Sequence, residues 1–339
     1  MANPQSAQPQ RPRRLVAVGA SAGGVEALTR MAAGLPADLP YAVLVVLHMP
    51  PNAPSVLARI LDRGGPLRAE AAVDGAPIMP GHIYVCLPDR HLMAHDSHLV
   101  LSQGPTENGY RPAINALFRS VALSFGPNAI GVLLSGVLDD GVLGAAAIRS
   151  RGGSTIVQNP DDALFSAMPL NAIDAGVADR QADAGAIGPV LAELLGQRNE
   201  VGDMEPDNTM ELENRIAMGR RFSTTFDSEA LGPHSGYICP DCNGSLIEVD
   251  SKSYRCHVGH AWTADSLLKA RDSEIEGALW IALRSLREKA KMSRRLADTV
   301  GPGGMQQRYI DAADEADHAA TVLGEQLSKT PAVGELRGT

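Results

Sequence analysis

After a polar leader, the chain alternates short apolar runs with segments in which apolar positions recur every three or four residues. Leu15 to Val18 is wholly apolar, ends in Gly19-Ala20-Ser21-Ala22-Gly23-Gly24, and passes into a helical pattern through Val25, Leu28 and Met31. The order is strand, tight turn, helix. A second apolar run, Tyr41 to Leu47, ends at His48 before Met49-Pro50-Pro51, and residues 54–61 again have helical spacing. Weaker strands are expected at 69–73, 82–86 and 98–101. Gly109 to Pro112 opens a helix carrying Leu117, Phe118 and Val121, and Ala129 to Leu134 has the unbroken apolarity of a fully buried strand. Ser135 to Gly141 follows, then a helix through Ile148, the pair Gly152-Gly153, and a strand over 154–157. Repeated βα units with continuous apolar strands predict an α/β fold, a doubly wound, mainly parallel sheet whose sites lie beyond the carboxyl ends of its strands.

Beyond Leu195 the pattern changes. The α/β domain is expected over 13–197. An acidic stretch over 198–235, with a short helix near 210–219, reads as a flexible linker. A compact Cys/His segment occupies 236–263. Over 264–330 two helical patterns, with apolar positions at Leu268, Ile275, Leu279, Ala282 and Leu286 and then at Ile310, Ala313, Ala320, Leu323 and Leu327, are broken by Gly301-Pro302-Gly303-Gly304 into an antiparallel hairpin.

Composition narrows the function classes. With 339 residues, several units are expected. The chain is 44% hydrophobic but only 4% aromatic, which suits short buried strands between close-packed helices. A formal net charge of −9 argues against nucleic acid as a partner, because phosphate contacts need clustered Lys and Arg. Arg11, Arg13 and Arg14 form the early basic cluster, in a leader without the apolar core of a signal peptide, and no stretch reaches membrane-spanning length. No direct membrane insertion and a cytoplasmic location are therefore expected. Four cysteines are too few for a disulfide scaffold. Cys86, alone in an apolar segment, reads as a buried structural thiol.

Gly19-Ala20-Ser21-Ala22-Gly23 fits G-x-S-x-G, in which small neighbours let a serine sit on a sharp strand-to-helix turn with its hydroxyl exposed. A plain tight turn is the alternative. A dinucleotide loop is disfavoured, since the glycine spacing is wrong and the second strand ends in His48 rather than an acidic residue. A Walker loop fails because no Gly-Lys-Ser/Thr follows. His48, after a buried strand and before a rigid Pro-Pro, stands on the same rim as Ser21, where a general base belongs. His82, His91, His95 and His98 are read as structural. A carboxylate at another strand end would orient the imidazole, and both Asp139 and Asp140 qualify. An Asp-Asp-Gly that merely turns the chain or caps a helix is the alternative.

Gly19 to Gly24, Val46-Leu47-His48, Gly109-Tyr110-Arg111-Pro112, Leu134 to Gly141, and Gln158-Asn159-Pro160 through Met168-Pro169 stand in an order and spacing that resembles the catalytic domain of the chemotaxis protein-glutamate methylesterases, the CheB family, over residues 13–197. The resemblance implies a triad of Ser21, His48 and Asp140, the aspartate directly before the glycine. It implies a serine hydrolase that needs no cofactor for catalysis, demethylates γ-glutamyl methyl esters on the cytoplasmic helices of chemoreceptors and in some members deamidates glutamine. Arg111, on the family's Arg-Pro motif, is a natural contact for an acidic receptor helix, with a structural ion pair as the alternative. The chain departs from the family's common residues at Ala22, Tyr110, Ala113, Asn115 and Val137-Leu138-Asp139, which bears on oxyanion geometry and substrate preference. Only a short leader precedes the first strand, so control by a phosphoreceiver in the same chain is not expected. Rival readings are a catalytically idle signalling adaptor and an esterase for an unrelated small ester.

Cys239-Pro240-Asp241-Cys242 is a C-x2-C knuckle, and Cys256-His257-Val258-Gly259-His260 lies 13 residues on. Two such corners across a short hairpin supply the four N/S ligands of tetrahedral zinc: Cys239, Cys242, Cys256 and His260. His257 is set aside because adjacent residues seldom point both side chains at one metal. With four protein ligands the zinc would be structural. Tyr254 and Trp262 are expected to cover the metal site. The tail, on its linker, is read as a surface for docking partners or for dimerisation.

Overall fold

A computed structural model describes residues 12, 14–195, 206–219 and 232–329. The basic residues Arg11, Arg13, Arg220 and Arg221 and much of the segment read as a linker lie outside the described residues. In chain order the α/β part runs β1 (Leu15–Ala20), α1 (Gly24–Ala33), β2 (Ala42–Leu47), α2 (Leu57–Gly64), β3 (Arg68–Ala71), β4 (His82–Val85), β5 (His91–His95), β6 (His98–Ser102), α3 (Ile114–Phe125), β7 (Ala129–Leu133), α4 (Val142–Ser150), β8 (Ser154–Gln158), α5 (Ala167–Asp174), β9 (Arg180–Ala182) and α6 (Ile187–Leu195).

Seven of these strands form one sheet in the order β3-β4-β2-β1-β7-β8-β9, every neighbouring pair parallel. The apolar runs need no alternation because both faces are covered. Leu15, Ala17, Leu44 and Val46 point into one core with Leu117, Phe118 and Ile148. Val16, Val18, Val43 and Val45 point into the other with Leu28, Met31 and Leu61. Burying each such side chain is worth about 1.5–3 kcal/mol. The chain leaves β1 toward β2 on one side and reaches β7 on the other, so the switch point of the winding, where a crevice opens, falls between β1 and β7.

Strand β5 was not expected, since His91 and His95 bound it. It pairs with β6 as an antiparallel hairpin outside the main sheet. His91 is tolerated in the interior because its Nε2 lies 2.9 Å from the Pro105 carbonyl and its Nδ1 accepts from the Ala113 amide at 3.2 Å. Burial pushes its pKa down. The Cys86 thiol is buried and donates toward the Arg90 carbonyl, and burial pushes its pKa up.

The short helix expected near 210–219 is present in the stretch read as a linker. Helix α7 (Asn208–Met218), capped by the Asp207 carboxylate at the Met210 amide, lies within that stretch and is packed down. Met210 joins one core of the sheet, while Ala217 and Met218 cluster with Met93 and Val100. A short helix with so few apolar anchors carries a weak periodic signal.

Strands β10 (His234–Ile238), β11 (Ser245–Asp250), β12 (Ser253–Cys256) and β13 (Ala261–Thr263) then form a four-stranded antiparallel sheet. Helices α8 (Ala264–Thr299) and α9 (Gly304–Lys329) follow, and the chain divides into two compact units after Ser266. In the second unit Leu283, Ala290, Ala297, Ala313, Ala316 and Ala320 are buried, and Arg294 pairs with Asp314 and Asp317. No helix among the described residues is long and apolar enough to cross a membrane.

Candidate active site and metal centre

Ser21, His48 and Asp140 follow β1, β2 and β7, three strands whose carboxyl ends share one rim. The turn at Ser21 is tight because Gly24 donates its amide to the Ser21 carbonyl at 2.9 Å and the Ser21 amide donates to the Ser135 carbonyl at 2.9 Å. Gly23 has φ of 70°, and a Cβ there would lie 2.6 Å from Ser135 Oγ, so only glycine fits without strain. Gly136 allows a second close approach, since a Cβ on it would lie 2.9 Å from the Ser21 Cβ. The hydroxyl thus stands at the amino end of α1, whose first amides and dipole favour negative charge.

His48 Nδ1 is 3.2 Å from Ser21 Oγ and its Nε2 is 2.8 Å from Asp140 Oδ2. The His48 side chain is only 5% exposed and that of Asp140 is fully buried. Asp140 also accepts from the amides of Ile114 at 2.7 Å and Asn115 at 3.2 Å, at the start of α3. Backbone donors and a helix amino end stabilise the buried carboxylate, which has an acceptor left for an imidazole N–H. With Nε2 protonated toward Asp140, Nδ1 is free to accept the serine proton.

Two departures from the family's common residues now have a structural meaning. Tyr110 stacks on His48 with ring centres 3.9 Å apart and planes 3° apart. Burial, and then the charge of Asp140, raise its pKa. Asn115 Oδ1 accepts from the amides of Gly141 at 3.0 Å and Gly144 at 2.7 Å, fixing the turn after Asp140. Arg111 is committed to a structural pairing: its Nε donates to Asp89 Oδ1 at 2.9 Å and its Nη1 to the Gly104 carbonyl at 2.9 Å. The Arg111 guanidinium in turn holds the Asp89 pKa down. Asp139 points away from the triad and accepts from Thr263 Oγ1 and Ser266 Oγ. Near the serine turn, Leu164 and Phe165, which lie beside Gly23, and Val25 in the first turn of α1 are exposed apolar side chains.

The ligand atoms of Cys239, Cys242, Cys256 and His260 lie within 4.8 Å of one another. Cys242 Sγ is 3.6 Å from Cys256 Sγ, and His260 Nδ1 is 3.7 Å from Cys239 Sγ and 3.5 Å from Cys256 Sγ. A tetrahedron with Zn–S of about 2.3 Å and Zn–N of about 2.0–2.1 Å needs edges of about 3.5–3.8 Å, and these three separations fall in that range. His257 is exposed, its ring beside Gly244. Trp262 lies with its ring against Gly109.

A buried ion network escaped the sequence reading. Arg255, 1% exposed, places Nη2 2.9 Å from Glu213 Oε1 and 3.7 Å from Glu107 Oε1, and Arg119 forks onto Glu107. Burial alone would raise the Glu107 pKa, but the two guanidinium groups outweigh it and hold it at about 2. Arg255 is therefore no surface residue for nucleic acid.

The chain matches the model of the CheB methylesterase family over residues 16–191. It is 42% identical over 194 residues to protein-glutamate methylesterase/protein-glutamine glutaminase 3 of Anaeromyxobacter dehalogenans, covering 56% of this chain and 57% of that protein. It is 37% identical over 167 residues to the Escherichia coli K12 protein-glutamate methylesterase/protein-glutamine glutaminase, covering 48% of each. The chain thus spans about half the length of the curated relatives it matches. The crystal structure of the Thermotoga maritima CheB methylesterase catalytic domain superposes with a TM-score of 0.52 at 31% identity, over 53% of this chain and 98% of that one. With that fold and more than half its residues matched, this chain belongs to the CheB methylesterase family.

Proposed function

We propose that the chain is a protein-glutamate methylesterase, a serine hydrolase that demethylates glutamate methyl esters on the cytoplasmic helices of chemoreceptors. The observation that carries this reading is the unbroken hydrogen-bonded line Ser21–His48–Asp140 on the sheet rim. It favours an enzyme over an idle adaptor, which has no need to align the three. His48 Nδ1 takes the Ser21 proton as Oγ attacks the ester carbonyl, and Asp140 stabilises the imidazolium. Amides at the start of α1 stabilise the oxyanion. Collapse of the tetrahedral intermediate transfers the proton to the departing methoxide, releasing methanol and leaving an acyl-Ser21. Water, deprotonated by His48, then frees the glutamate carboxylate and restores the hydroxyl.

The exposed apolar side chains of Val25, Leu164 and Phe165 near the serine turn support a protein substrate laid across the serine. The same machinery would hydrolyse a glutamine side chain to glutamate and ammonia. The Cys3His cluster supports a structural zinc, with no open position for chemistry. A receptor-helix peptide carrying γ-methyl glutamate, analysed by mass spectrometry after incubation, tests the reading. Conversion to glutamate is the expected result, and an unchanged peptide beside rapid turnover of small esters would favour the unrelated-ester reading.

A further inference from the structure

The triad uses Asp140 and leaves its buried neighbour unaccounted for. Asp139 accepts, on one oxygen, from Thr263 Oγ1 at 3.1 Å and Ser266 Oγ at 2.8 Å, residues that close the Cys3His module. Thr263 Oγ1 also accepts from the Ser266 amide at 3.2 Å, so both hydroxyls belong to one capped helix start. A second seam runs alongside. Thr263 donates its amide to Asn108 Oδ1 at 2.8 Å, Asn108 its amide to the Ala261 carbonyl at 2.7 Å, and Ala261 its amide to the Thr106 carbonyl at 3.1 Å. Two residues past Asn108, Tyr110 lies on the His48 ring.

The module's metal corner is tied into these contacts. Strand β12 ends at Cys256 and pairs with β13 through Arg255 opposite Ala261 and Ser253 opposite Thr263. Arg255 also donates to the carbonyl of Gly259, between Cys256 and His260, at 2.7 Å. On the other side, Leu138 has φ of 67°, costly for a branched residue, and its carbonyl accepts from Asn171 Nδ2. A strained turn just before two aspartates needs support from outside itself, and the module supplies part of it.

We infer that the Cys3His module is part of the hydrolase site: through Thr263, Ser266 and Asn108 it positions the Asp139-Asp140 turn and the Tyr110 ring, and so His48. Thr263 and Ser266 are positioning residues that act through Asp139. The inference rests on the esterase and metal-site readings above. Displacement of a catalytic group by about 1 Å can cost on the order of a hundred-fold in rate, so partial loosening has a measurable effect.

The test compares the full chain with Thr263→Val/Ser266→Ala, which removes both hydroxyls from Asp139 and leaves triad and metal ligands intact. Hydrolysis of p-nitrophenyl acetate and the downfield proton resonance of the His48 N–H facing Asp140 are followed together. The expected result is a fall in kcat of about five-fold or more with KM within about two-fold, a shifted or broadened resonance, unchanged bound metal, and recovery of most of the loss when Thr263→Ser replaces Thr263→Val. If the double variant fails to fold, Ser266→Ala alone is read the same way. Native kcat and a native resonance overturn the inference. Stripping the metal from the native full chain with a chelator should reproduce both changes, and zinc should reverse them; verified metal loss with neither change also overturns it. A chain that holds no metal when purified refutes the metal reading and this inference with it. A chain inert on esters refutes the esterase reading, and the resonance then decides the coupling by itself.

Discussion

Replacing Asp140 by Asn keeps the size of the side chain and reverses the hydrogen-bond logic around it. Oδ2 serves both the Ile114 amide and His48 Nε2, at 2.7 and 2.8 Å, while Oδ1 serves the Asn115 amide. An Asn oxygen can occupy only one of these places. If it takes the Oδ1 site, the amide nitrogen confronts the Ile114 N–H and turns the imidazole so that Nδ1 carries a proton toward Ser21 and cannot act as base. If it takes the Oδ2 site, the tautomer survives but a donor faces the Asn115 N–H in the interior, and the imidazolium loses its counter-charge. Opposite charges 2.8 Å apart at an effective dielectric of about 20 attract by about 6 kcal/mol, an upper bound. A loss of about 5 kcal/mol of that stabilisation is several thousand-fold in rate. At Asp139 the Thr263 and Ser266 donors are hydroxyls, which can rotate, so Asp139→Asn should cost about ten-fold or less. The assay is kcat/KM for ester hydrolysis, with melting temperature and bound metal measured on the same samples. Equal losses from the two variants, or an Asp140→Asn protein within about ten-fold of native, would refute the assignment.

Other outcomes follow from the same geometry. Metal analysis of protein purified without added zinc should give one ion per chain, lost in Cys256→Ser and kept in His257→Ala; a value near zero in the native chain would refute the site. Tyr110→Phe preserves the stacked ring and should stay near native turnover, whereas Tyr110→Ala should lose about ten-fold, measured on the same ester. Glu107 is held at about 2 from an ordinary value of 4.5, so its contribution is present above 4.5 and is lost as pH falls through about 2. That is at most about 3 kcal/mol, and acid unfolding followed by circular dichroism should lose this part of its slope in Glu107→Gln.

The meeting of Ser21, His48 and Asp140 was legible because Ser21 and His48 directly follow apolar runs, Asp140 lies in the turn after a third, and a parallel sheet puts strand ends on one rim. The clustering of Cys239, Cys242, Cys256 and His260 was legible from local spacing alone. The remaining site residues become neighbours only through the tertiary fold. Thr263 meets Asp139 across 124 residues of chain, and no periodicity marks either. Arg255 has no charged partner near it in the sequence, and its partners Glu107 and Glu213 reach it only in the fold. Tyr110 looked like a departure from the family's common residue, and its stacking on His48 depends on how the loop before α3 returns to the rim. The short helix near 210–219 was legible, but its packing was not, because the few apolar residues of α7 are split between two clusters.

The central claim, hydrolysis of receptor methyl esters by Ser21, is tested most directly with a chemoreceptor carrying radiolabelled methyl groups. The native chain should release labelled methanol while Ser21→Ala, folded and with the same metal content, stays at the background rate. Equal release by the two proteins, or none from the native one, would contradict the account.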